Sequence, residues 1–360
     1  MKFVHIADIH FDSPFVNLSD KEYLGDLRRL DQRKVFKKVI EYIKENNIEF
    51  LFISGDLYEN NYIKKTTIEY INNLFKEIPE TKIFISPGNH DPYIKNSYYN
   101  KFHWNENVKI FNSKIEKFET ENVDFYGFGF NDFYCTESNL ENLEIENKNK
   151  LNILIMHGTL DGASLEEKQY NSIKSKILEE KGFDYVALGH IHKLDYNSYE
   201  NQRIVYPGSL ISLGFDELGK HGMIVGNLEK NDINLEFIPL DEKEFKIKEL
   251  DVSLIDSKEE LIENLNELNF EENYLVEIYL IGKRNFEINT YELYKLIINN
   301  QIIKIKDRTT INYNLEKIAE ENTLKGIFVK KMLDKLNNTE SLEEKEVLEK
   351  AVEIGLDSLK

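Results

Sequence analysis

The sequence predicts an α/β fold in which two sheets occupy the N-terminal two-thirds of the chain. Short apolar runs alternate with helical patterns at the start, which is typical of a mainly parallel sheet. Strand patterns without long helices between them come next and predict a second sheet. The pattern changes after Pro239, where a small α+β module and then a helical end are expected.

The first sheet is predicted from a strand–helix–strand–helix–strand order. The near-continuous apolar run Phe50–Ile53 is typical of a strand in a sheet that is covered on both faces. Val35, Val39 and Ile43 recur at helical spacing and mark one apolar face of the first helix. The predicted elements are strands Phe3–Ala7, Phe50–Ile53 and Lys82–Ser86 and helices Asp31–Asn46 and Thr66–Ile78.

The second sheet is predicted to be the more antiparallel of the two, because no long helices separate its first strands. Those strands are Val108–Phe111, Ile115–Phe118 and Val123–Phe130. Further strand patterns lie at Leu151–Met156, Tyr185–Leu188 and Arg203–Tyr206. Met223–Leu228 and Ile233–Pro239 alternate as a closing hairpin, with its turn near residues 229–232.

Three domains are predicted: residues 1–240, an α+β module at 241–312 and a helical region at 313–360. In the module, strand patterns at Phe245–Leu250, Tyr274–Ile281 and Ile302–Ile305 alternate with helices at Ser257–Leu268 and Tyr291–Ile298. Ser257 with Glu260, and Ser341 with Glu344, have the spacing of capping boxes that open helices. The last helix carries an apolar stripe from Val347 to Leu359.

Composition limits the location of the protein and its partners. The 360 residues suit two or three domains, and the net charge of -19 argues against a free-standing, high-affinity nucleic-acid binder. The single Cys135 excludes an internal disulfide and fits a reducing compartment. No secretory signal pattern and no apolar stretch of roughly 18 residues are found, so a soluble, cytoplasmic protein without a membrane span is expected.

Five short polar clusters, each directly after an apolar strand pattern, predict a shared metal site. Taken singly they are ambiguous: Asp56 has the position of a helix cap, His157 that of a core histidine, and the others those of polar turns. Together they hold five of the eight histidines at strand ends, where α/β sheets place their sites. The clusters are Asp8-Ile9-His10, Gly55-Asp56, Gly88-Asn89-His90-Asp91, His157-Gly158 and Gly189-His190-Ile191-His192.

The order of these five clusters resembles the signature of the calcineurin-like metallophosphoesterase superfamily. Within it the chain looks like the SbcD-type DNA repair nucleases, and in particular their YhaO-like branch. The residues behind this narrower resemblance are the segments His10–Phe15, Tyr206–Ser209, Ser212–Glu217 and Ala351–Leu359. The resemblance implies a two-sheet α/β/β/α sandwich over residues 1 to about 240 and, more loosely, a capping module behind it.

The resemblance also implies a role for each polar residue. Asp56 would bridge two divalent cations, with Mn²⁺ favoured over Fe or Zn²⁺. His90 would act on the transferred phosphate or the leaving group, and Asp91 would orient His90. The donors to the first cation would be Asp8, His10 and His192, and those to the second would be Asn89, His157 and His190.

The expected activity is two-metal hydrolysis of DNA, as an exonuclease, an endonuclease or both. Glu59 stands where some relatives carry a histidine that helps to select the cleavage mode, so this preference stays open. One alternative is a phosphodiesterase for small molecules or nucleotides, which the acidic composition favours. Another is an assembly subunit in which the metal site is structural.

Two protein partners are expected from the resemblance. The helical end would dock on the coiled-coil base of an SbcC-like ATPase, and a homodimer would form. The apolar stripe of the last helix fits such docking. It fits packing against the chain's own module equally well.

Overall fold

The structure, a computed structural model, describes residues 1–15, 18, 22–134, 140–161, 173–196 and 202–359. It contains two compact units, Met1–Phe245 and Lys246–Lys360. The boundaries expected after residues 240 and 312 stay predictions, and Cys135 lies outside the described residues. Among the described helices, none is both long enough and apolar enough to span a bilayer.

The first unit holds two sheets and four α-helices among its described residues. Its strands are β1 Lys2–Ile6, β2 Phe50–Ile53, β3 Lys82–Ile85, β4 Val108–Ile110, β5 Glu116–Glu119, β6 Val123–Gly127, β7 Leu151–His157, β8 Tyr185–Gly189, β9 Ile204–Val205, β10 Gly222–Glu229 and β11 Asp232–Pro239. Its helices are α1 Glu22–Glu45, α2 Lys65–Lys76, α3 Tyr98–Lys101 and α4 Ser175–Lys181. Helix α1 therefore begins nine residues before the predicted start.

The strand orders are β11-β10-β1-β2-β3-β4 in the first sheet and β5-β6-β7-β8-β9 in the second. Two expectations were wrong. Strand β4 joins the first sheet, parallel to β3, because the connection through α3 is long enough for a crossover. The second sheet is mostly parallel, with β5–β6 as its antiparallel pair. The predicted hairpin is confirmed, with Glu229 opposite Asp232.

The two sheets face each other across an aromatic core, because alternate strand residues point to the same side. Phe84 of β3 stacks on Phe125 of β6 with ring centroids 4.2 Å apart. Phe3 of β1 meets Tyr185 of β8 at 4.6 Å. These contacts bind one sheet to the other and fix the relative positions of their strand ends.

Helices cover the outer faces of the sandwich. Phe36 of α1 lies 6.0 Å from Phe75 of α2, ring to ring, and 5.2 Å from Phe11. Leu178 of α4 belongs to the core that covers the second sheet, together with Leu154 of β7. The predicted α/β/β/α layering is confirmed by this arrangement.

The second unit combines two small sheets with helices. Its strands are β12 Glu244–Asp251, β13 Tyr274–Ile281, β14 Lys283–Arg284, β15 Ile302–Asp307 and β16 Thr310–Ile311, and its helices are α5 Lys258–Glu267, α6 Thr290–Leu296, α7 Leu315–Ala319, α8 Leu324–Asn338 and α9 Leu342–Ser358. The larger sheet has the order β12-β13-β15, and β14 pairs with β16 in the smaller one. Both predicted N-caps are confirmed, since the Ser257 and Ser341 side chains accept hydrogen bonds from the amides of Glu260 and Glu344.

Candidate metal centre

The five polar clusters meet at one edge of the sandwich. Strands β1, β2 and β3 are parallel neighbours, so the loops after them leave the first sheet at the same edge. Strands β7 and β8 are parallel neighbours in the second sheet, and His157 closes β7. The carboxyl ends of parallel strands are the usual position of sites in α/β proteins, and the geometry here agrees with that rule.

The loops at this edge adopt strained backbone conformations. Asp8, His10 and Asp56 all have φ close to 50°, and His190 has φ of 104°. Non-glycine residues seldom adopt these values, and such strain is concentrated at functional sites. The packed surroundings hold it: Asp8 donates its amide hydrogen to the carbonyl of Gly55 at 3.1 Å.

Two motif glycines allow the loops to approach each other. Gly55 has φ of 90°, and a Cβ there would collide with the ring of His157. A Cβ on Gly88 would collide with the carboxylate of Asp56. Glycine is therefore required before the donor residues in both clusters.

The first group of donors is Asp8, His10 and His192. Their ligand atoms all lie within 4.8 Å of one another. His10 Nε2 is 3.2 Å from His192 Nε2, and His192 Nε2 is 3.8 Å from Asp8 Oδ1. Asp8 and His10 are almost fully buried. The structure thus brings together the three residues predicted for one cation.

The second group is Asn89, His157 and His190. Asn89 Oδ1 lies 2.9 Å from His157 Nε2 and 3.3 Å from His190 Nδ1. Asp56 stands between the groups, with Oδ2 3.3 Å from His157 Nε2 and 3.6 Å from His10 Nε2. Its other oxygen, Oδ1, accepts the amide hydrogen of His90 at 2.8 Å. A single oxygen of Asp56 therefore faces both groups.

Three of the histidines present Nε2 to the centre because their Nδ1 atoms are held from behind. His10 Nδ1 lies 2.8 Å from a carboxylate oxygen of Glu59, and His192 Nδ1 lies 2.6 Å from one of Glu217. His157 Nδ1 lies 2.9 Å from the backbone oxygen of Ser54. These partners only accept hydrogen bonds, so each Nδ1 carries a proton and Nε2 is left for a cation.

Buried charge governs the electrostatics of the centre. Burial disfavours the charged form of His157, but the carboxylates of Asp56 and Asp8 outweigh it and raise its pKa to about 9. Burial also raises the pKa of Asp8. Burial would raise the pKa of Asp56 too, yet His157 holds that pKa well below its usual range.

The donor set fits divalent cations. Imidazole nitrogens and carboxylate or amide oxygens converge from five loops, and the negative charge that attracts protons to His157 attracts cations equally. His10 Nε2 and His192 Nε2, only 3.2 Å apart, are well placed to share one ion. Mixed nitrogen and oxygen donors suit several transition metals and select none of them.

His90 lies at the open side of the centre, with 44% of its side chain exposed. Its Nδ1 is 2.9 Å from Glu59 Oε2, while Glu59 Oε1 holds His10. Burial opposes charge on His90, but the hydrogen bond that its ring donates to Glu59 and the nearby Asp56 carboxylate raise the pKa of His90 to about 9. One carboxylate thus links a predicted metal ligand to the predicted catalytic histidine.

The expectation that Asp91 orients His90 was wrong. The buried Asp91 carboxylate accepts the amide hydrogens of Gly88 at 2.7 Å and Leu57 at 2.7 Å, and the Tyr99 hydroxyl at 2.6 Å. Among the described contacts of His90, Glu59 is the side chain bound to its ring. Asp91 cannot turn towards that ring because the amides of two neighbouring loops already hold its oxygens.

Sequence reasoning missed several supporting residues. Glu217, whose carboxylate holds His192, lies in the segment Ser212–Glu217 that resembles the SbcD-type nucleases, but the resemblance implies no role for it. The Gln32 amide of α1 donates to the carbonyls of Ile9 and His10 at 2.8 and 3.0 Å. These contacts join distant parts of the chain, so no local pattern could have revealed them.

The family model of calcineurin-like phosphoesterases matches residues 1–194, a range that includes all seven donor residues. The chain therefore belongs to the calcineurin-like phosphoesterase family, whose sites hold two metal ions. This confirms the superfamily inferred from the five clusters.

The relatives found include both branches that the sequence resembles. YhaO of Bacillus subtilis, an uncharacterized metallophosphoesterase, is 26% identical over 247 residues, covering 66% of this chain and 60% of that protein, which is less than two-thirds of its length. The D subunit of the nuclease SbcCD is 28% identical over 276 residues in Staphylococcus epidermidis, covering 67% of this chain and 70% of that protein. The Staphylococcus saprophyticus protein of the same name is 28% identical over 309 residues, covering 76% and 77%.

Among solved structures, the crystal structure of TT1561 of Thermus thermophilus aligns with 66% of this chain and 98% of that one. The identity is 10% and the TM-score is 0.37, a value too low to establish a shared fold.

Proposed function

We propose that this protein is a metal-dependent nuclease that hydrolyses phosphodiester bonds in DNA. The observation that carries the proposal is the convergence of seven donor residues from five loops at one strand edge. One cation would be held by Asp8, His10 and His192 and the other by Asn89, His157 and His190, with Asp56 shared. Manganese is the proposed metal, and iron and zinc are also compatible with these donors.

When bound, the two cations would activate water and offset the charge of the phosphate. The chain itself supplies a rigid frame for them. Asp8 and His157 are fully buried, and Gly55 has the close contact that only glycine permits. A preorganised site of this kind need not rearrange when charge develops in the transition state.

His90 is the proposed catalytic residue. Glu59 fixes its Nδ1, so Nε2 is the nitrogen that can meet substrate at the open side. A protonated His90 can stabilise the phosphate or donate its proton to the leaving oxygen. Asp91 acts indirectly: it ties the loop that carries His90 to the loop that carries Asp56.

DNA is proposed as the substrate because two relatives are named as subunits of the nuclease SbcCD. The net charge of -19 instead favours a small phosphodiester, which is the second candidate. For DNA, the positive charge that binds the backbone would have to come from the metals, from local lysines or from a partner.

The deciding experiment compares linear DNA with bis(p-nitrophenyl) phosphate as substrates, with Mn²⁺ and with a chelator. A nuclease degrades DNA with Mn²⁺ only, and His90→Ala lowers kcat by roughly 10²- to 10⁴-fold. His103→Ala, which removes an exposed histidine outside the five clusters, is the matched control and keeps full activity. Hydrolysis of the small diester alone would favour the second candidate. A metal-loaded protein that hydrolyses neither substrate would favour an assembly subunit with a structural metal.

We also propose that the helical end binds an SbcC-like coiled-coil ATPase. Leu324 and Ile327 of α8 and Leu342 and Val347 of α9 are each more than half exposed. Exposed apolar helix faces commonly mark surfaces that receive a partner helix. A homodimer is a further proposal, to be tested by sedimentation of the purified protein.

A further inference from the structure

A groove of about 1090 Å³ includes the proposed metal ligands His190 and His192 in its lining. We call it the histidine groove. It is lined by residues 190–194, by residues 215–218 with Lys220 and His221, and by Phe237. Apart from His190 and His192, none of these residues is among the seven donors.

The wall of the histidine groove is largely apolar and firmly held. Phe215 is buried and packs edge-on against Phe245, with ring centroids 4.9 Å apart. Phe237 lies on β11, which pairs along its whole length with β10. Leu218 is 48% exposed, so the wall offers apolar surface to a ligand. Apolar walls with a few polar groups are typical of small-molecule and nucleotide sites.

Two lysines and two carboxylates, Asp216 and Glu217, line the histidine groove. Lys193 and Lys220 are exposed, and among the described residues neither takes part in an ion pair. The Glu217 carboxylate is bound to His192 and to the Ser209 hydroxyl at 2.6 and 2.7 Å. The exposed Asp216 is therefore the carboxylate that offsets part of the lysine charge. In a chain with a net charge of -19, exposed lysines beside the proposed phosphate-cleaving centre are groups to which a further substrate phosphate can bind.

We propose that the histidine groove holds the nucleotide next to the scissile phosphate, with its base on the apolar wall and its outer phosphate at Lys193 and Lys220. This inference rests on the proposed function and specifies its substrate as a polynucleotide strand. Three features support it: continuity with His190 and His192, a volume large enough for a nucleotide, and apolar surface beside two cations. A small diester has no second phosphate for the lysines to bind.

The test compares two substrates in the full-length protein loaded with Mn²⁺. One is a single-stranded oligodeoxynucleotide, and the other is bis(p-nitrophenyl) phosphate. The groove variants are Lys193→Glu/Lys220→Glu and Leu218→Glu. The matched control, Lys101→Glu/Lys109→Glu, makes the same charge change at exposed lysines outside the groove. We expect the groove variants to lower kcat/KM for DNA, relative to the small diester, at least tenfold, mainly through KM.

Different outcomes separate this inference from the proposed function. If wild type cleaves DNA and the groove variants behave as the control does, the groove inference fails and the nuclease proposal stands. Equal losses on both substrates also overturn the inference, because the substitutions then act on the metal centre or the fold. If the variants change only the sedimentation of the protein, the groove is an interface between copies. A wild type that neither binds nor cleaves the oligonucleotide but hydrolyses the small diester overturns both.

Discussion

The metal-centre edge of the first unit buries ionisable side chains, whereas the helical end of the second unit exposes apolar ones. Both depart from the usual pattern of buried apolar and exposed ionisable residues. At the edge, Asp8 and His157 are fully buried although both are ionisable. At the helical end, Leu342 and Leu324 are 78% and 69% exposed although both are apolar. Burial of charge without a counter-ion and exposure of apolar surface both oppose stability.

The two regions differ in what offsets these unfavourable arrangements. The buried groups at the edge are compensated inside the unit, by the hydrogen bonds of Glu59 and Glu217 and by the cations proposed there. The exposed apolar groups of the helical end have no such compensation among the described residues, and a partner protein would supply it. Substitutions at the edge should therefore affect chemistry, while those at the helical end should affect association.

The largest effect is expected at Asp56, whose single oxygen faces both donor groups. Asp56→Asn keeps the shape of the side chain but removes the charge. Loss of a residue that only hydrogen-bonds to a metal ligand lowers metal affinity by up to roughly 100-fold. Because Asp56 is itself a proposed ligand, we expect a larger loss. Metal analysis after gel filtration and calorimetric titration with Mn²⁺ measure the affinity. If the variant retained two ions per chain, the proposal that Asp56 is shared by both cations would be contradicted.

A smaller loss is expected at Glu59, which bonds to His10 and His90 through different oxygens. Glu59→Gln keeps the size of the side chain but weakens both contacts, so we expect kcat to fall roughly 10- to 100-fold. In a His90→Ala background the same change should cost much less, because one of its two targets is gone. Equal losses in both backgrounds would show that Glu59 acts without His90.

His5 tests the buried polar region beneath the centre. Its ring lies 2.9 Å from the Tyr185 hydroxyl and 2.5 Å from that of Ser54. Burial lowers its pKa to about 3. In the unfolded chain the pKa of a histidine is about 6.5, so the unfolded state binds a proton at His5 more readily than the folded state does. The free energy of unfolding therefore decreases as the pH falls below about 6.5.

His5→Gln removes this titration. Between pH 7 and pH 5, in chelator, the wild type should lose roughly 2 kcal/mol more unfolding free energy than the variant. Denaturant unfolding at both pH values measures the difference. Parallel pH profiles for the two proteins would mean that His5 is not held neutral by burial.

The smallest effect on stability is expected at the helical end. Leu324→Ser and Ile327→Ser should each change the unfolding free energy by no more than about 0.5 kcal/mol, as surface substitutions usually do. The pair should nevertheless abolish association with an SbcC-like ATPase, whereas the exposed Lys330→Ser on the same helix should not. Marked destabilisation, or unchanged association, would place these side chains in the chain's own packing.

The sequence predicts the donors better than it predicts the sheets. Apolar runs and the spacing of polar clusters are local signals, so they located β2 and the helix caps at Ser257 and Ser341 correctly. The placement of β4 failed because strand pairing depends on how the chain crosses over, which no short pattern records. The start of α1 was missed although Leu24, Leu27 and Leu30 recur at helical spacing, because Gly25 in the first turn and the charged residues that follow weaken the local helical signal.

The same distinction applies within the centre. The residues proposed as ligands could be named from their motifs, and the structure brings them together. The carboxylates behind them could not, because Glu217 reaches His192 from 25 residues away in the sequence. Asp91 was misjudged for a related reason: its neighbour in sequence is His90, but its hydrogen-bond partners come from loops folded against it.

The claim on which the account depends is that two cations occupy this edge. Anomalous diffraction from crystals grown with Mn²⁺ tests it most directly. Two peaks are expected, one among Asp8, His10 and His192 and one among Asn89, His157 and His190, both adjacent to Oδ2 of Asp56. A map in which these residues surround no peak, while Mn²⁺ is bound elsewhere on the chain, would contradict it.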